Sequence, residues 1–184
     1  MSSALEDKPN QKLILVDSNG APTGKVANRK ACHTSPGMKH LAIQVLVFNA
    51  KNELVLHERP EKKVGGGVLD APTTHVLHGE TPEKAAMRCL KDEYGIAKAD
   101  VEVLDGFSYE KDYGNGSCEN EFCLAAYTVF SGKIKPNAEH AGKIANVPAK
   151  NVVAELKSMP KKYPVWFVET AGIVKGSSAG KFFS

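Results

Sequence analysis

Apolar positions along this chain follow two periods. Short runs with a strand signature cover residues 12–16, 41–48 and 53–57, the last two separated by the turn sequence Asn49-Ala50-Lys51-Asn52. The 41–48 run, LAIQVLVF, is nearly unbroken, the pattern of a strand covered on both faces. A helical period then takes over, with Met87, Leu90 and Tyr94 on one face and Ala86 beside them. Thr81 is placed to cap this helix, Pro82 suits its first position, and Gly95 supplies the residue past its end. Arg88 and Asp92, four apart, are spaced to pair along it. Strand patterns return at 101–109, 120–130 and 144–148, with a glycine-containing turn at 112–117. Helix patterns follow at 151–159 and at 164–174, the second carrying the single tryptophan, Trp166. Interleaved strands and helices, with no repeat and no dividing linker, predict one α/β (α+β) domain over 1–184, a mixed sheet with helices on its faces. Residues 1–11 and 176–184 are expected to be loose.

Chemistry enters through the histidines. His33 and His40 flank a Ser35-Pro36-Gly37 loop, and His75 precedes the helix by a few residues. Glu119 and Glu121 stand two apart at a strand start, so both side chains share one face. Three imidazoles and two carboxylates make an octahedral donor set for a borderline divalent ion such as manganese or zinc. The helix adds Glu80, Asp92 and Glu93. His57, His78 and His140 carry no signal above that of surface histidines.

The order of residues around the helix is more specific. Gly79-Glu80, seven residues, Arg88, then Asp92-Glu93-Tyr94-Gly95-Ile96 resembles the helix motif of the Nudix superfamily. That motif has glutamates where this chain has Cys89 and Asp92, and a glycine where it has Thr74. Three further segments carry a closer resemblance. They are Ala31-Cys32-His33-Thr34 through His40-Leu41-Ala42, then Phe48-Asn49-Ala50-Lys51, and finally Glu119-Asn120-Glu121-Phe122-Cys123. With His75 and Tyr109 they are similar to type 1 isopentenyl diphosphate isomerase, a Nudix family, over about residues 12–175. The resemblance implies a Nudix fold, an α/β/α sandwich. It implies that His33, His40, His75, Glu119 and Glu121 hold a divalent ion, Mn2+ or Zn2+. Glu93 would serve a second site where Mg2+ meets the substrate diphosphate. Arg29 and Lys62 or Lys63 would bind that diphosphate, and Glu121, oriented by Tyr109, would transfer protons.

Three positions depart from the family. Its acid-base cysteine is Thr73 here, with Thr74 as the alternative occupant, and a hydroxyl is a far weaker acid than a thiol. Its active-site tryptophan falls by counting on Lys161, although Trp166 is near enough to take the place. A family arginine after Arg88 is Cys89. The expected activity is interconversion of isopentenyl and dimethylallyl diphosphate. A Nudix hydrolase of a diphosphate-linked substrate, using metal-activated water, is the first alternative. A non-catalytic diphosphate-binding module is the second.

Composition narrows the partners. A net charge of +3 over 184 residues gives no support to nucleic acid as a partner, and leaves a small anionic diphosphate open. No apolar run approaches the roughly 20 residues of a membrane span. Four cysteines without a C-x-x-C pair, and no secretory segment, predict reduced thiols and a cytoplasmic protein. Nothing in the sequence sets the oligomeric state.

Overall fold

The computed structural model describes residues 10–63 and 65–184; nine of the eleven N-terminal residues expected to be loose thus lie outside the described set. The chain order is β1 (Lys12–Val16), β2 (Pro22–Asn28), α1 (Arg29–Cys32), β3 (His40–Phe48), β4 (Glu53–Glu58), β5 (Leu69–Asp70), β6 (Thr73–His75), α2 (Pro82–Tyr94), β7 (Glu102–Asp112), β8 (Cys118–Val129), β9 (Ile144–Pro148), α3 (Ala149–Ser158) and α4 (Val165–Gly176). β3 is the central strand. Every one of its nine residues is buried, as its unbroken apolar pattern requires. β8 runs parallel to it along its whole length, while β6 pairs with it antiparallel at Ala42–Gln44. β7 extends the sheet beyond β8 by a long antiparallel pairing.

Alternation on β3 divides the core in two. Ile43, Val45 and Val47 pack on the side of α2, with Ala85, Ala86, Leu90 and Tyr94. Leu46 and Phe48 pack on the side of α4, with Trp166, Phe167, Ala171 and Val174. The sheet is therefore sandwiched between helices, the expected layering. Helix α2 begins and ends as its sequence directs: the Thr81 side chain accepts from Lys84 N, Pro82 is its first residue, and Gly95 takes a left-handed φ of 69°.

Local structure departs from the sequence pattern at four places. Residues 22–32, a polar stretch without apolar period, form β2 and the one-turn α1; β2 is a largely exposed strand, paired among the described residues to β1 alone, so no face of it needs apolar side chains. Thr73–His75, which carries no apolar strand pattern, is a strand held by the edge of β3. Arg88 does not pair with Asp92; its guanidinium is taken by Glu80. Residues 176–184 are not frayed: Ser178–Phe183 forms a 3-10 helix that buries Ala179 and Phe183, with Phe182 stacked on Phe48.

Candidate metal centre and cleft

Strand register assembles the centre. The parallel pairing sets His40 opposite Glu121, the β7 pairing sets Tyr109 opposite Glu121, and the β6 pairing sets His75 opposite Ala42. Side chains two apart on β8 share a face, which adds Glu119. His33 arrives from the end of α1, with Cys118 N donating to its carbonyl. The result is that His33, His40, His75, Glu119 and Glu121 each offer a ligand atom, all within 4.8 Å of one another. Opposite donors of an octahedral ion at bonds of roughly 2.1–2.2 Å stand roughly 4.3 Å apart, so the cluster has the size of a single cation site.

Its electrostatics suit a cation. His33 Nδ1 donates to Arg29 O at 2.9 Å and His40 Nδ1 donates to Met38 O at 2.8 Å. Since a carbonyl only accepts, both rings turn an Nε2 lone pair inward. His33 Nε2, His40 Nε2 and Glu119 Oε2 are buried and complete no hydrogen bond of normal geometry among the described residues. His75 is held the other way: Arg29 Nη1 lies 2.7 Å from its Nδ1, and its Nε2 lies 3.1 Å from Glu121 Oε1. A cation at that Nε2 would displace its proton. Burial, and then the Glu121 charge, raise the Glu119 carboxyl above the ordinary range. Burial acts upward on Glu121 too, but His40 and His75 beside it outweigh it and hold it well below that range. Burial, then Arg29, lowers His75 to about 3. A neutral His75 beside an ionised Glu121 is the form in which these two residues can ligate a divalent ion.

The centre forms one end of a cleft. Its lining includes Arg29, Arg59, Lys63 and Arg88 as cations, Asp92 and Glu93 from α2, and Tyr109 and Trp166 as aromatic surface. Tyr109 donates its hydroxyl to Glu121 Oε2 at 2.6 Å. Burial, and then the charges of Glu121 and Glu119, raise its pKa well above that of a free phenol, so the proton stays on it. Glu93 is buried in the cleft wall, its Oε1 4.0 Å from Lys63 Nζ, apart from the five clustered ligands. Glu80 is engaged by Arg88 through two contacts of 2.7 and 2.9 Å.

The sequence expectations divide accordingly. Arg29 and Lys63 line the cleft, whereas Lys62 is exposed outside it, at the tip of a turn. Trp166, not the exposed Lys161, faces the cleft, because α4 begins at Val165 and buries that ring against the sheet. Thr73 lines the cleft, but its hydroxyl proton is donated to Ala71 O at 2.8 Å and its oxygen accepts from Gln44 Nε2 at 2.8 Å. Arg59 and His140 are lining residues that sequence reasoning passed over. Arg59 comes two residues after the 53–57 run as one more polar residue, and His140 comes from a segment without regular structure; neither carried a local signal.

A family model described as NUDIX domain matches residues 38–165. The isopentenyl-diphosphate Delta-isomerase of Corynebacterium diphtheriae is 30% identical over 164 residues, which cover 85% of this chain and 89% of that protein. Isopentenyl-diphosphate Delta-isomerase 1 of Aromatoleum aromaticum is 31% identical over 157 residues, 84% of this chain and 87% of that one. Among solved structures, a Deinococcus radiodurans protein superposes with a TM-score of 0.65 at 14% identity, over 88% of this chain and 97% of its own. The dihydroneopterin triphosphate pyrophosphohydrolase of E. coli gives 0.55 at 15% identity, over 78% and 95%. These two similarities concern the fold.

Proposed function

Because the chain belongs to the NUDIX domain family, as an isopentenyl-diphosphate-isomerase-like enzyme, we propose that it interconverts isopentenyl and dimethylallyl diphosphate. The observation that carries this reading is the Tyr109–Glu121 pair. It sets a phenol proton and a carboxylate that also belongs to the metal cluster at one end of a cleft lined by cations and by the Trp166 ring.

His33, His40, His75, Glu119 and Glu121 are the residues that would hold the divalent ion, and three imidazoles with two carboxylates suit manganese or zinc. Bound there, the ion would supply positive charge that keeps the neighbouring carboxylates ionised. Glu93, with oxygen donors only, suits a magnesium ion shared with phosphate oxygens. Arg29, Arg59 and Lys63 would grip the diphosphate through charge-assisted hydrogen bonds. That grip would leave the hydrocarbon end against Trp166 and Tyr109. Proton gain at one alkene carbon and loss at another passes through a carbocation-like state, which an indole face favours. Tyr109 keeps its proton on the hydrogen bond to Glu121 Oε2, and so would orient that carboxylate as the proton-transfer group. Thr73 stands where the family has a thiol. Its proton is committed to Ala71 O, so catalysis through it would first require that bond to break.

A hydrolase gathers its metals on helix carboxylates, and here Glu80 is spent on Arg88 while Cys89 bears no charge. That supports the isomerase over the hydrolase. The test is phosphorus and proton NMR of isopentenyl diphosphate with the purified protein, manganese and magnesium. Dimethylallyl diphosphate is the expected product. Release of inorganic phosphate or pyrophosphate would move the protein to the hydrolase reading, and an unchanged substrate would overturn the isomerase.

A further inference from the structure

Asp70, the last residue of β5, is fully buried and belongs to no part of the metal cluster. Its carboxylate is saturated. Oδ1 accepts from Ala71 N at 2.8 Å, Gln44 Nε2 at 2.7 Å and Trp166 Nε1 at 3.2 Å. Oδ2 accepts from Arg59 Nη1 at 3.0 Å and again from Trp166 Nε1 at 3.1 Å. A carboxylate offers about four lone-pair sites, so nothing remains for a ligand. Its partners, however, come from separate elements and turn towards the cleft. Arg59 follows β4, Trp166 begins α4, and Gln44 on β3 passes the contact on to Thr73 of β6. Arg59, Trp166 and Thr73 all line the cleft. The Arg59 guanidinium also lies over the Trp166 ring, 5.1 Å from its centroid, and that ring lies 5.7 Å from the ring of Tyr109.

We propose that Asp70 is a positioning residue for the reaction: one buried carboxylate that fixes the diphosphate-binding Arg59 and the cation-facing Trp166 in register with each other. The inference rests on the isomerase reading for the roles of those two side chains. The geometry behind it stands on its own. An indole N–H buried without an acceptor, or a guanidinium beside an aromatic ring without its counter-charge, would each find a new position. Asp70 is an anchor that both groups have in common, so its loss acts on both at once.

The two carboxylate oxygens have partly different partners, and this makes the proposal testable. Asparagine at position 70 can keep its carbonyl where Oδ1 serves Ala71, Gln44 and Trp166. Its amide would then face Arg59 Nη1 donor to donor, and would also take the place of the Oδ2 acceptor 3.1 Å from Trp166 Nε1. Asp70→Asn therefore keeps one of the two acceptors for Trp166 and gives up the hold on Arg59, whereas Asp70→Ala leaves neither group an acceptor at position 70. Trp166 is the single tryptophan, so its fluorescence reports its own position without interference. In Asp70→Ala, acrylamide quenching should rise several-fold, and kcat/KM for isopentenyl diphosphate should fall roughly 100-fold, the scale of a misplacement of about 1 Å. In Asp70→Asn, which keeps the Oδ1 acceptor for the indole, quenching should rise far less than in Asp70→Ala and kcat should stay within about 3-fold of wild type. KM should rise about 10-fold, the loss of one hydrogen bond between charged groups. A purely structural role would lower stability and leave this KM-against-kcat split absent. Wild-type emission and rate constants in Asp70→Ala would overturn the proposal, as would an Asp70→Asn protein quenched as strongly as Asp70→Ala. Should Asp70→Ala fail to fold, the near-isosteric Asp70→Asn decides alone. If wild-type protein leaves isopentenyl diphosphate unchanged, the functional reading fails, while the quenching comparison still decides whether Asp70 holds Trp166.

Discussion

Replacing Arg88 by lysine should cost this protein more than the conserved charge suggests. The guanidinium makes four contacts: Nε to Glu80 Oε1 at 2.7 Å, Nη2 to Glu80 Oε2 at 2.9 Å, Nη2 to His75 O at 2.8 Å and Nη1 to Thr74 Oγ1 at 3.1 Å. These tie α2 to the segment that delivers His75, and Glu80 in turn accepts from Leu77 N at 3.1 Å. A lysine ammonium is a point charge on a flexible stem and cannot span the fork, so two or three contacts are lost. Both side chains are partly exposed, at 29% and 21% for Arg88 and Glu80, which argues for about 1 kcal/mol each rather than the larger value of a buried charged bond. The sum is about 2–3 kcal/mol, or roughly 5–10 °C in melting temperature for a domain of this size. The His75 main chain would lose its support as well, so manganese affinity should fall at least roughly 10-fold, as for other outer contacts to a metal ligand. Calorimetric melts with and without manganese, together with isothermal titration, measure both effects. A variant that melts within about 2 °C of wild type and binds manganese equally would refute the argument that the fork holds this loop.

Four other outcomes are expected. Tyr109→Phe should fold normally and lower kcat roughly 10- to 100-fold by removing the hydroxyl that donates to Glu121, as steady-state kinetics would show. Gly37→Ala should destabilise the loop between His33 and His40: φ is +73°, and a Cβ there would meet Cys118 Sγ at 2.5 Å and Cys32 O at 2.8 Å. A loss of roughly 1–3 kcal/mol in denaturant melts, with weaker manganese binding, is the expected result. His57 is buried against Tyr94, and burial, then the charges of Lys63 and Arg59, lowers its pKa to about 3. The unfolded chain takes up a proton below about pH 6.5 while the folded one does not, so this stability is complete above 6.5 and drains away towards 3. His57→Gln should therefore reduce the loss between pH 6.5 and 5 by roughly 2 kcal/mol in melts without metal. Finally, manganese should raise the melting temperature of wild-type protein, and His33→Ala should abolish much of that rise.

Much of the fold could be read from the sequence, since it rests on local patterns. The unbroken run of β3 announced a strand buried on both faces, and Thr81, Pro82 and Gly95 marked the ends of α2 through their own backbone preferences. The ligand types were legible as well, and Glu119 and Glu121 shared a face by the period of a strand alone. What the sequence could not supply was register between distant strands. Only the β3–β8 and β7–β8 pairings set His40 and Tyr109 opposite Glu121. The same dependence on tertiary contact hid β2, whose exposed residues carry no apolar signal, and gave Arg88 to Glu80 rather than to Asp92. It also chose Trp166 over Lys161, because Asp70 binds the indole from 96 residues away in the chain. Local chemistry named the groups; long-range packing, which ties each side chain to partners far along the sequence, decided which of them meet.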